Sequence, residues 1–349
     1  KNIIEEIIRR TNIVIHYITS DPEDEVFGME SDQFKPYYIG EHRMIVLMMK
    51  METDIMVMTT PDLENFQLKR SYVQKDIEYI YVQHDVNSSN LTFHKDALDH
   101  YDTIFTSDPK NKCEIAEREE KYGLPAKNLV EWGSSVIDNM TKAYEEMVRE
   151  DGSEEKKDKT VLIAPSWQKD NILDSCIEGM LDELVKTPYH IIVRPHPQYV
   201  RHYEARIDAL AARYQEQGVT FQKDFSSNKT VYTADILVTD WSSIAFEYAF
   251  ATLKPVLFID TPMKITNPDY QELKTVPIDM ELRSKVGISV QPDAVEDKIR
   301  DSVDKLLFDE QFSRDSLQKL KEEYIYHNGE SGKVGAKYII DKLVERSGK

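Results

Sequence analysis

Several features that would place a protein in a familiar class are scarce or missing in this sequence of 349 residues. It has two cysteines, Cys113 and Cys176, too few for a disulfide framework or a cysteine-rich metal cluster. No apolar run approaches the roughly 18 residues needed to span a bilayer, and no secretory signal pattern is present. These absences favour a globular protein of a reducing compartment, and we predict a cytoplasmic location. The sequence begins with Lys1 rather than methionine, which leaves open a preceding segment such as a membrane anchor.

Motifs built on glycine are missing as well, although the chain contains 12 glycines. There is no G-x-G for a dinucleotide fingerprint, no P-loop G-x-x-x-x-G-K-[ST] and no G-x-S-x-G nucleophile elbow. H-E-x-x-H and D-x-D are also absent, so no metal ligand set is indicated. The sequence therefore predicts a site without metal or cofactor, built from Arg, His, Ser and helix N-termini.

Basic residues are also in short supply, because 44 Lys and Arg stand against 63 Asp and Glu, for a net charge of −19. Such a surface repels phosphate backbones, so a general nucleic-acid binder is excluded. It also argues against adhesion to an anionic membrane through a broad basic face. An anionic substrate requires a local basic site.

The length exceeds what a single hydrophobic core usually serves, so we expect two domains. The charged stretch 145–160 is the best linker candidate. We predict one Rossmann-like domain over 1–150 and a second over 151–330. A final helix within 331–349 is predicted to pack back on the first domain.

Short apolar runs alternate with helical patterns, which is typical of a parallel sheet covered on both faces by helices. The predicted strands are 12–18, 43–49, 54–60, 77–83, 103–107, 161–166, 190–194, 219–222, 235–240 and 255–260. The sequence therefore predicts an α/β protein with two doubly wound, Rossmann-like domains that face a central cleft.

The segment Arg194-Pro-His196-Pro follows one of these strands, and ligands of doubly wound sheets bind at such carboxyl ends. The prolines stiffen the backbone. Arg194 suits a phosphate, and His196 can donate to a phosphate oxygen or carry a proton. The alternative is a structural turn with a solvent-facing imidazole. A stiff turn has little need of both side chains, so we favour a phosphate site.

Ser242 and Ser243 open a predicted helix directly after another strand. Their hydroxyls and the N–H groups of the first helical turn suit an anion, although serine is also an ordinary N-cap. Two serines after a strand end favour phosphate binding. Glu247 is a candidate for a ribose contact or for an ion pair with lysine, and Ser166 and Asp240 are further strand-end candidates for a ligand contact.

His84 follows the strand 77–83 and is either a catalytic group or a satisfied structural histidine. The neighbouring Asp85 would orient the imidazole, but it would also repel a phosphate.

These segments together resemble the CDP-glycerol glycerophosphotransferase family of teichoic acid and capsule synthesis. The resemblance rests on RPHP at 194–197 followed by ADILVTDWSSIAFEYAFATLKPVLFID at 234–260. It extends over about 77–345, with VEWGSSVIDNM at 130–140 and NGESGKVGAKYI at 328–339 matching further family segments.

The resemblance implies a two-domain GT-B fold, with an N-terminal acceptor-side domain over 1–150 and a C-terminal nucleotide-donor domain over 151–330. It also implies a reaction in which an acceptor hydroxyl attacks the β-phosphorus of a CDP-polyol and CMP leaves. The expected acceptor is a glycan or a lipid-linked chain, with peripheral membrane association. The resemblance assigns the donor phosphates to Arg194, His196, Ser242 and Ser243, the general base to His84, and the acceptor side to Gly133 and Asp138.

Two positions depart from the family pattern. Asp85 stands where the family usually has glycine, and residues 134–137 lack the expected Pro-Arg. Both departures lie in the part assigned to the acceptor. A GT-B glycosyltransferase with a nucleotide-sugar donor and a catalytically inactive nucleotide-binding module are the alternative interpretations.

Overall fold

The computed structural model describes residues 1–151 and 158–348. Its strands are β1 (Ile15–Thr19), β2 (Phe34–Tyr38), β3 (Ile55–Met58), β4 (Glu78–Val82), β5 (Thr103–Thr106), β6 (Asn128–Glu131), β7 (Thr160–Ile163), β8 (His190–Val193), β9 (Thr220–Phe221), β10 (Ile236–Thr239), β11 (Val256–Ile259) and β12 (Gly287–Val290).

The α-helices are α1 (Asn2–Arg10), α2 (Glu41–Met49), α3 (Ser89–Thr92), α4 (Pro109–Tyr122), α5 (Ser135–Asp151), α6 (Ile172–Ser175), α7 (Ile177–Leu184), α8 (Pro197–Tyr214), α9 (Lys229–Thr233), α10 (Ile244–Thr252), α11 (Ile278–Glu281), α12 (Arg283–Val286), α13 (Val295–Phe308), α14 (Arg314–Tyr324) and α15 (Ser331–Ser347). Short 3₁₀ helices lie at Glu25–Gly28, Gln215–Gln217, Pro268–Glu272, Pro292–Ala294 and Glu310–Phe312.

The C-terminal part of the chain forms a six-stranded sheet in the order β12-β11-β10-β7-β8-β9. All of its pairings are parallel. Every residue of β7, β10 and β11 is buried, which is why these strands read as continuous apolar runs. The strand order reverses between β7 and β10, so the carboxyl ends of these two strands flank the crevice where such sheets bind ligands.

The N-terminal part contains a four-stranded parallel sheet in the order β3-β4-β5-β6 and a separate parallel pair, β1 and β2. One face of the larger sheet packs against α1 and α15, with Ile7 and Ile339 in the same buried cluster as Ile80 and Phe105. Its other face forms a second cluster with residues of α2 and α4. The last helix thus completes the core of the first sheet.

The parallel sheets with helices on their faces agree with the predicted α/β class, but one predicted strand is wrong. Residues 43–49 form most of helix α2 instead. Met44 and Met48 lie one turn apart and pack on the first sheet, whereas Val46 is 55% exposed. A short apolar run cannot distinguish a strand from a helix by itself, and methionine and leucine are good helix formers.

The predicted linker at 145–160 overlaps a helix. Residues 145–151 continue α5, and 152–157 lie outside the described residues. Helix α5 packs against α10 and so connects the two parts of the chain along one side. Among the helices of the described chain, none is both long enough and apolar enough to cross a membrane.

Candidate active site

The RPHP segment joins the end of β8 to the start of α8, and its sequence explains its shape. Pro197 occupies the first turn of α8, where its missing N–H needs no partner. His196 is the N-cap, and its Nδ1 accepts a hydrogen bond of 3.1 Å from the Gln198 N–H. Because Nδ1 is an acceptor, the neutral ring carries its hydrogen on Nε2, which is left to donate to a ligand.

Arg194 is half-buried beside the same turn. Its Nη2 donates to Asn228 Oδ1 at 2.9 Å and its Nη1 donates to Thr230 Oγ1 at 3.4 Å. Both hydrogen-bond partners are neutral, so they orient the guanidinium without forming an ion pair with it, and the nearby Asp224 carboxylate offsets part of its charge. Burial lowers the pKa of Arg194, which indicates a partly desolvated cation that suits an anionic ligand.

Lys264 and Trp167 lie next to His196. Burial lowers the pKa of His196, and the exposed Lys264, in the loop after β11, adds to this effect. The Trp167 ring stacks on the imidazole at a centroid distance of 6.3 Å. Burial and a nearby cation both keep His196 neutral near pH 7. No sequence pattern marked Lys264, because it stands in an irregular loop.

The second cluster lies at the end of β10, where Ser242 and Ser243 precede α10. Ser243 is the N-cap residue, yet its hydroxyl makes no capping hydrogen bond. The Ala245 and Phe246 N–H groups of the first turn donate to the Ser242 and Ser243 carbonyl oxygens at 3.2 and 3.1 Å, so the helix dipole is the feature that favours an anion at this end of α10. Ser166 follows the adjacent strand β7. Its hydroxyl is buried and, among the described residues, has no hydrogen-bond partner.

Asp240, predicted as a strand-end ligand contact, supports the loop that follows β7. It is fully buried, and its carboxylate accepts from the Ser166 N–H at 2.8 Å and from the Ile172 N–H at 3.3 Å. The side chain therefore holds the loop 166–172 over the end of the sheet. It also positions the Ser166 backbone.

His84 projects from a loop whose other residues are largely buried. Gln83 and Val86 through Leu91 are buried, whereas His84 is exposed. Its Nδ1 lies 3.3 Å from Tyr81 Oη and its Nε2 lies 3.6 Å from Asp85 Oδ2. The loop therefore presents one imidazole with a hydroxyl and a carboxylate on its two sides.

This loop lies against the donor-side helix. Val86 is fully buried in the same cluster as Ala245 and Phe246 of α10. Burial raises the pKa of Glu247 to about 7, and the nearby Asp85 carboxylate adds to this effect, while a hydrogen bond with Ser243 opposes it. The structure thus brings the His84–Asp85 pair to the N-terminal end of α10, which carries the two serines.

Gly133 and Asp138 contact a different segment. Gly133 has φ +98°, and a Cβ there would lie 2.2 Å from the Tyr326 carbonyl oxygen. The Asp138 carboxylate accepts from the Gly329 N–H at 2.7 Å and the Ser331 N–H at 3.0 Å. Asp138 also lines a cavity of about 570 Å³ between α1, α5, α14 and α15, which includes none of the strand-end residues. These contacts tie the start of α5 to α15.

The sequence matches one protein family over residues 37–330, described as CDP-Glycerol:Poly(glycerophosphate) glycerophosphotransferase. No curated protein matches the chain in sequence.

Solved structures share the fold at low sequence identity. The wall teichoic acid polymerase TagF has 15% identity and a TM-score of 0.60, over 100% of this chain and 86% of that one. UDP-GlcNAc 2-epimerase of Methanocaldococcus jannaschii has 15% identity and a TM-score of 0.61, over 99% and 96%. A glycosyltransferase of Rickettsia africae ESF-5 has 9% identity and a TM-score of 0.55, over 98% and 94%. These similarities confirm the predicted α/β fold of the GT-B type.

Proposed function

Because the chain belongs to the CDP-glycerol:poly(glycerophosphate) glycerophosphotransferase family, we propose that the strand-end residues described above bind the diphosphate of CDP-glycerol. Membership of this family identifies the chain as a CDP-glycerol transferase. The placement of the diphosphate at these residues rests on the Ser166 hydroxyl. This hydroxyl is buried and, among the described residues, has no hydrogen-bond partner. It lies beside the N-terminal end of α10, at the point where the strand order reverses. A soaked structure of TagF is described with CDPG, which supports the same donor here.

In the proposed reaction, an acceptor hydroxyl oxygen attacks the β-phosphorus of CDP-glycerol and forms a new P–O bond. The bond from that phosphorus to the bridging oxygen breaks, and CMP leaves with the oxygen and the electron pair. The acceptor proton passes to His84, when Nδ1–H donates to Tyr81 Oη and leaves Nε2 free. Asp85, 3.6 Å from Nε2, then stabilises the imidazolium. General base catalysis of this kind contributes roughly 10²–10⁴ in rate.

The donor phosphates are held by groups of three kinds. Arg194 and Lys264 supply positive charge, His196 supplies its Nε2–H, and the two serines supply hydroxyls and backbone N–H groups. Preorganised donors around a transferring phosphoryl group lower the barrier by positioning it and by stabilising its charge. A neutral His196 suits this role, because its lowered pKa keeps Nε2 a fixed donor near pH 7.

We also propose that the acceptor is the terminal hydroxyl of a glycerophosphate chain or of a lipid-linked glycan, and that the protein works at the cytoplasmic face of a membrane. The family description supports a glycerophosphate polymer. We propose the division into acceptor and donor domains on the same grounds. The loop of His84 and Asp85 belongs to the first domain, and the residues proposed to bind the phosphates belong to the second.

Isothermal titration and thermal stabilisation with CDP-glycerol, CDP, CMP and UDP test the donor. We expect selective binding of the cytidine diphosphates, with about 2.7 kcal/mol of stabilisation at 100 times Kd. The double variant Ser242→Ala/Ser243→Ala is expected to lose this shift. Ser313→Ala is a matched control, because Ser313 caps α14 and lies outside the proposed site.

Three results would contradict the proposal. A preference for UDP would favour a nucleotide-sugar donor, and unaltered CDP-glycerol binding by the serine double variant would remove the phosphates from α10. Donor binding without release of CMP in the presence of a glycerophosphate acceptor would indicate an inactive nucleotide-binding module.

A further inference from the structure

One short segment, 278–286, contacts both sides of the proposed site. It comprises α11, the linking Leu282 and α12. Two of its charged side chains, Asp279 and Arg283, point to different sides. We call this segment the brace.

Arg283 holds the turn formed by residues 240–243 on the donor side of the site. It is 6% exposed, and its Nη1 donates to the Asp240 carbonyl oxygen at 2.9 Å. Its Nη2 pairs with the Asp260 carboxylate, and its Cζ lies 4.0 Å from the centre of the Trp241 ring. The guanidinium thus contacts the two residues that immediately precede Ser242, and it places a positive charge beneath the turn.

Asp279 holds the acceptor-side loop. Its Oδ2 accepts a hydrogen bond of 2.6 Å from the backbone N–H of Ser88, four residues after His84. Ser88 is fully buried and its Oγ donates to Glu114 Oε1 at 2.5 Å. Because a buried N–H needs a partner, Asp279 fixes the backbone of the loop that carries His84.

Further contacts on the same side are made outside the brace. The Leu91 carbonyl accepts from the Thr266 N–H at 3.0 Å, and Asn267 Nδ2 donates to the Asn90 carbonyl at 2.9 Å. Glu117 accepts from the Lys274 and Thr275 N–H groups. These bonds hold the two parts of the chain together, but they reach neither His84 nor the serine turn directly.

We propose that Asp279 and Arg283 are positioning residues which together set the separation between the His84 loop and the Asp240–Ser243 turn. The inference rests on the proposed function, because it assumes that His84 acts on a group bound at those serines. Asp279 governs placement of the base, and Arg283 governs placement of the phosphate donors. Both residues belong to one short segment, and each holds one side of the site.

The two residues predict different kinetic defects. Asp279→Ala is expected to lower kcat about tenfold, the loss that goes with one strong hydrogen bond, while Kd for CDP-glycerol stays within about twofold. Asp279→Asn has the same charge as the alanine variant but keeps an oxygen that accepts from the Ser88 N–H. It is expected to retain at least about half of the wild-type kcat.

Arg283→Lys is expected to raise KM and Kd for CDP-glycerol about tenfold, with a smaller change in kcat. Lysine keeps the charge but cannot bridge the Asp240 carbonyl and the Asp260 carboxylate as the planar guanidinium does. Glu117→Ala serves as the control, because it removes hydrogen bonds between the same two parts of the chain without touching either side of the site.

The measurements are steady-state kinetics of CMP release and calorimetric binding of CDP-glycerol, on variants whose thermal unfolding remains cooperative. A tenfold loss of kcat in a folded Asp279→Asn variant, or equal losses in Asp279→Ala and Glu117→Ala, would overturn the inference. So would an Arg283→Lys enzyme with wild-type KM. If the wild-type protein itself neither binds nor turns over CDP-glycerol, the proposed function fails instead, and the two failures are thereby distinguished.

Discussion

At the scale of single residues, the two ring nitrogens of His196 separate the observed cap of α8 from the proposed ligand contact. Nδ1 accepts from the Gln198 N–H and caps α8, whereas Nε2 is left for a ligand. The strand-end position suggested the ligand role from the sequence, and the structure adds the cap. A substitution that keeps a hydrogen-bond acceptor in place of Nδ1 but removes Nε2 therefore separates the effect on the α8 cap from the effect on ligand binding.

His196→Asn and His196→Ala form such a pair. Asparagine is a good N-cap and keeps the acceptor for the Gln198 N–H, so its thermal stability should stay near that of the wild type. Alanine loses the cap and should cost about 1 kcal/mol in the free energy of unfolding. Both lose Nε2, so both should weaken CDP-glycerol binding equally in calorimetry. Wild-type affinity in the asparagine variant would exclude a contact from Nε2.

Glu247 predicts a pH dependence of donor binding. Its pKa, raised to about 7 by burial and by Asp85, leaves it largely protonated at pH 6 and ionised at pH 8. A carboxylate next to bound phosphates repels them, so the Kd of CDP-glycerol should rise between pH 6 and pH 8. Glu247→Gln should flatten the profile. Asp85→Asn removes a cause of the raised pKa and should move the rise to lower pH. A profile that neither variant alters would contradict this assignment.

At the scale of secondary-structure elements, much of the second sheet is predictable and most of its supporting loops are not. The strands 190–194 and 235–240 are recognised because buried parallel strands are continuously apolar. The run 43–49 is wrongly predicted as a strand for the same reason, since a short half-buried helix can contain the same apolar residues as a buried strand. Arg283 and Lys264 are invisible to such patterns, because neither stands at a strand end or in a periodic stripe.

Gly133 lies in the turn between β6 and α5, and a substitution there tests whether the backbone of this turn requires glycine. Its φ of +98° is strained for any other residue, and a Cβ would meet the Tyr326 carbonyl oxygen at 2.2 Å. Gly123 has φ +65° and nothing within 4 Å of the point that a Cβ would occupy, so it provides the strain without the clash. Gly123→Ala should cost about 1–2 kcal/mol in the free energy of unfolding. Gly133→Ala should cost more in denaturant titrations, and equal costs would mean that the Tyr326 contact yields freely.

At the scale of the whole molecule, the net charge of −19 is accompanied by acidic groups at the junction of the two parts of the chain. Burial raises the pKa of Asp108 to about 6 and that of Asp279 to about 6, and it raises the pKa of Glu114 well above its usual value. Asp108 and Glu114 are at most 1% exposed. These groups hold protons that the unfolded chain releases near pH 4.

These three groups contribute a stability that falls as the pH rises. Between about pH 4 and pH 6 they bind more protons in the folded chain than in the unfolded chain, so their contribution to the free energy of unfolding decreases with increasing pH. For Asp108 and Asp279, whose pKa values rise to about 6, the contribution is roughly 2–3 kcal/mol each. Relief of surface repulsion at acid pH acts in the same direction, so a variant is needed to separate the two effects.

Glu114→Gln provides that separation, because glutamine keeps an oxygen for the Ser88 hydroxyl but cannot ionise. Its melting temperature should decline less steeply from pH 4 to pH 7 than that of the wild type. Glu117→Gln is the control with the opposite sign. Burial acts to raise the pKa of Glu117, but hydrogen bonds from Lys274 and Thr275 outweigh it and lower that pKa, so its contribution is present above pH 4.5 and lost in acid. Removing it should steepen the decline. If the melting temperatures of the wild type and Glu114→Gln decline equally from pH 4 to pH 7, the surface charge, and not the buried junction, sets the pH dependence of stability.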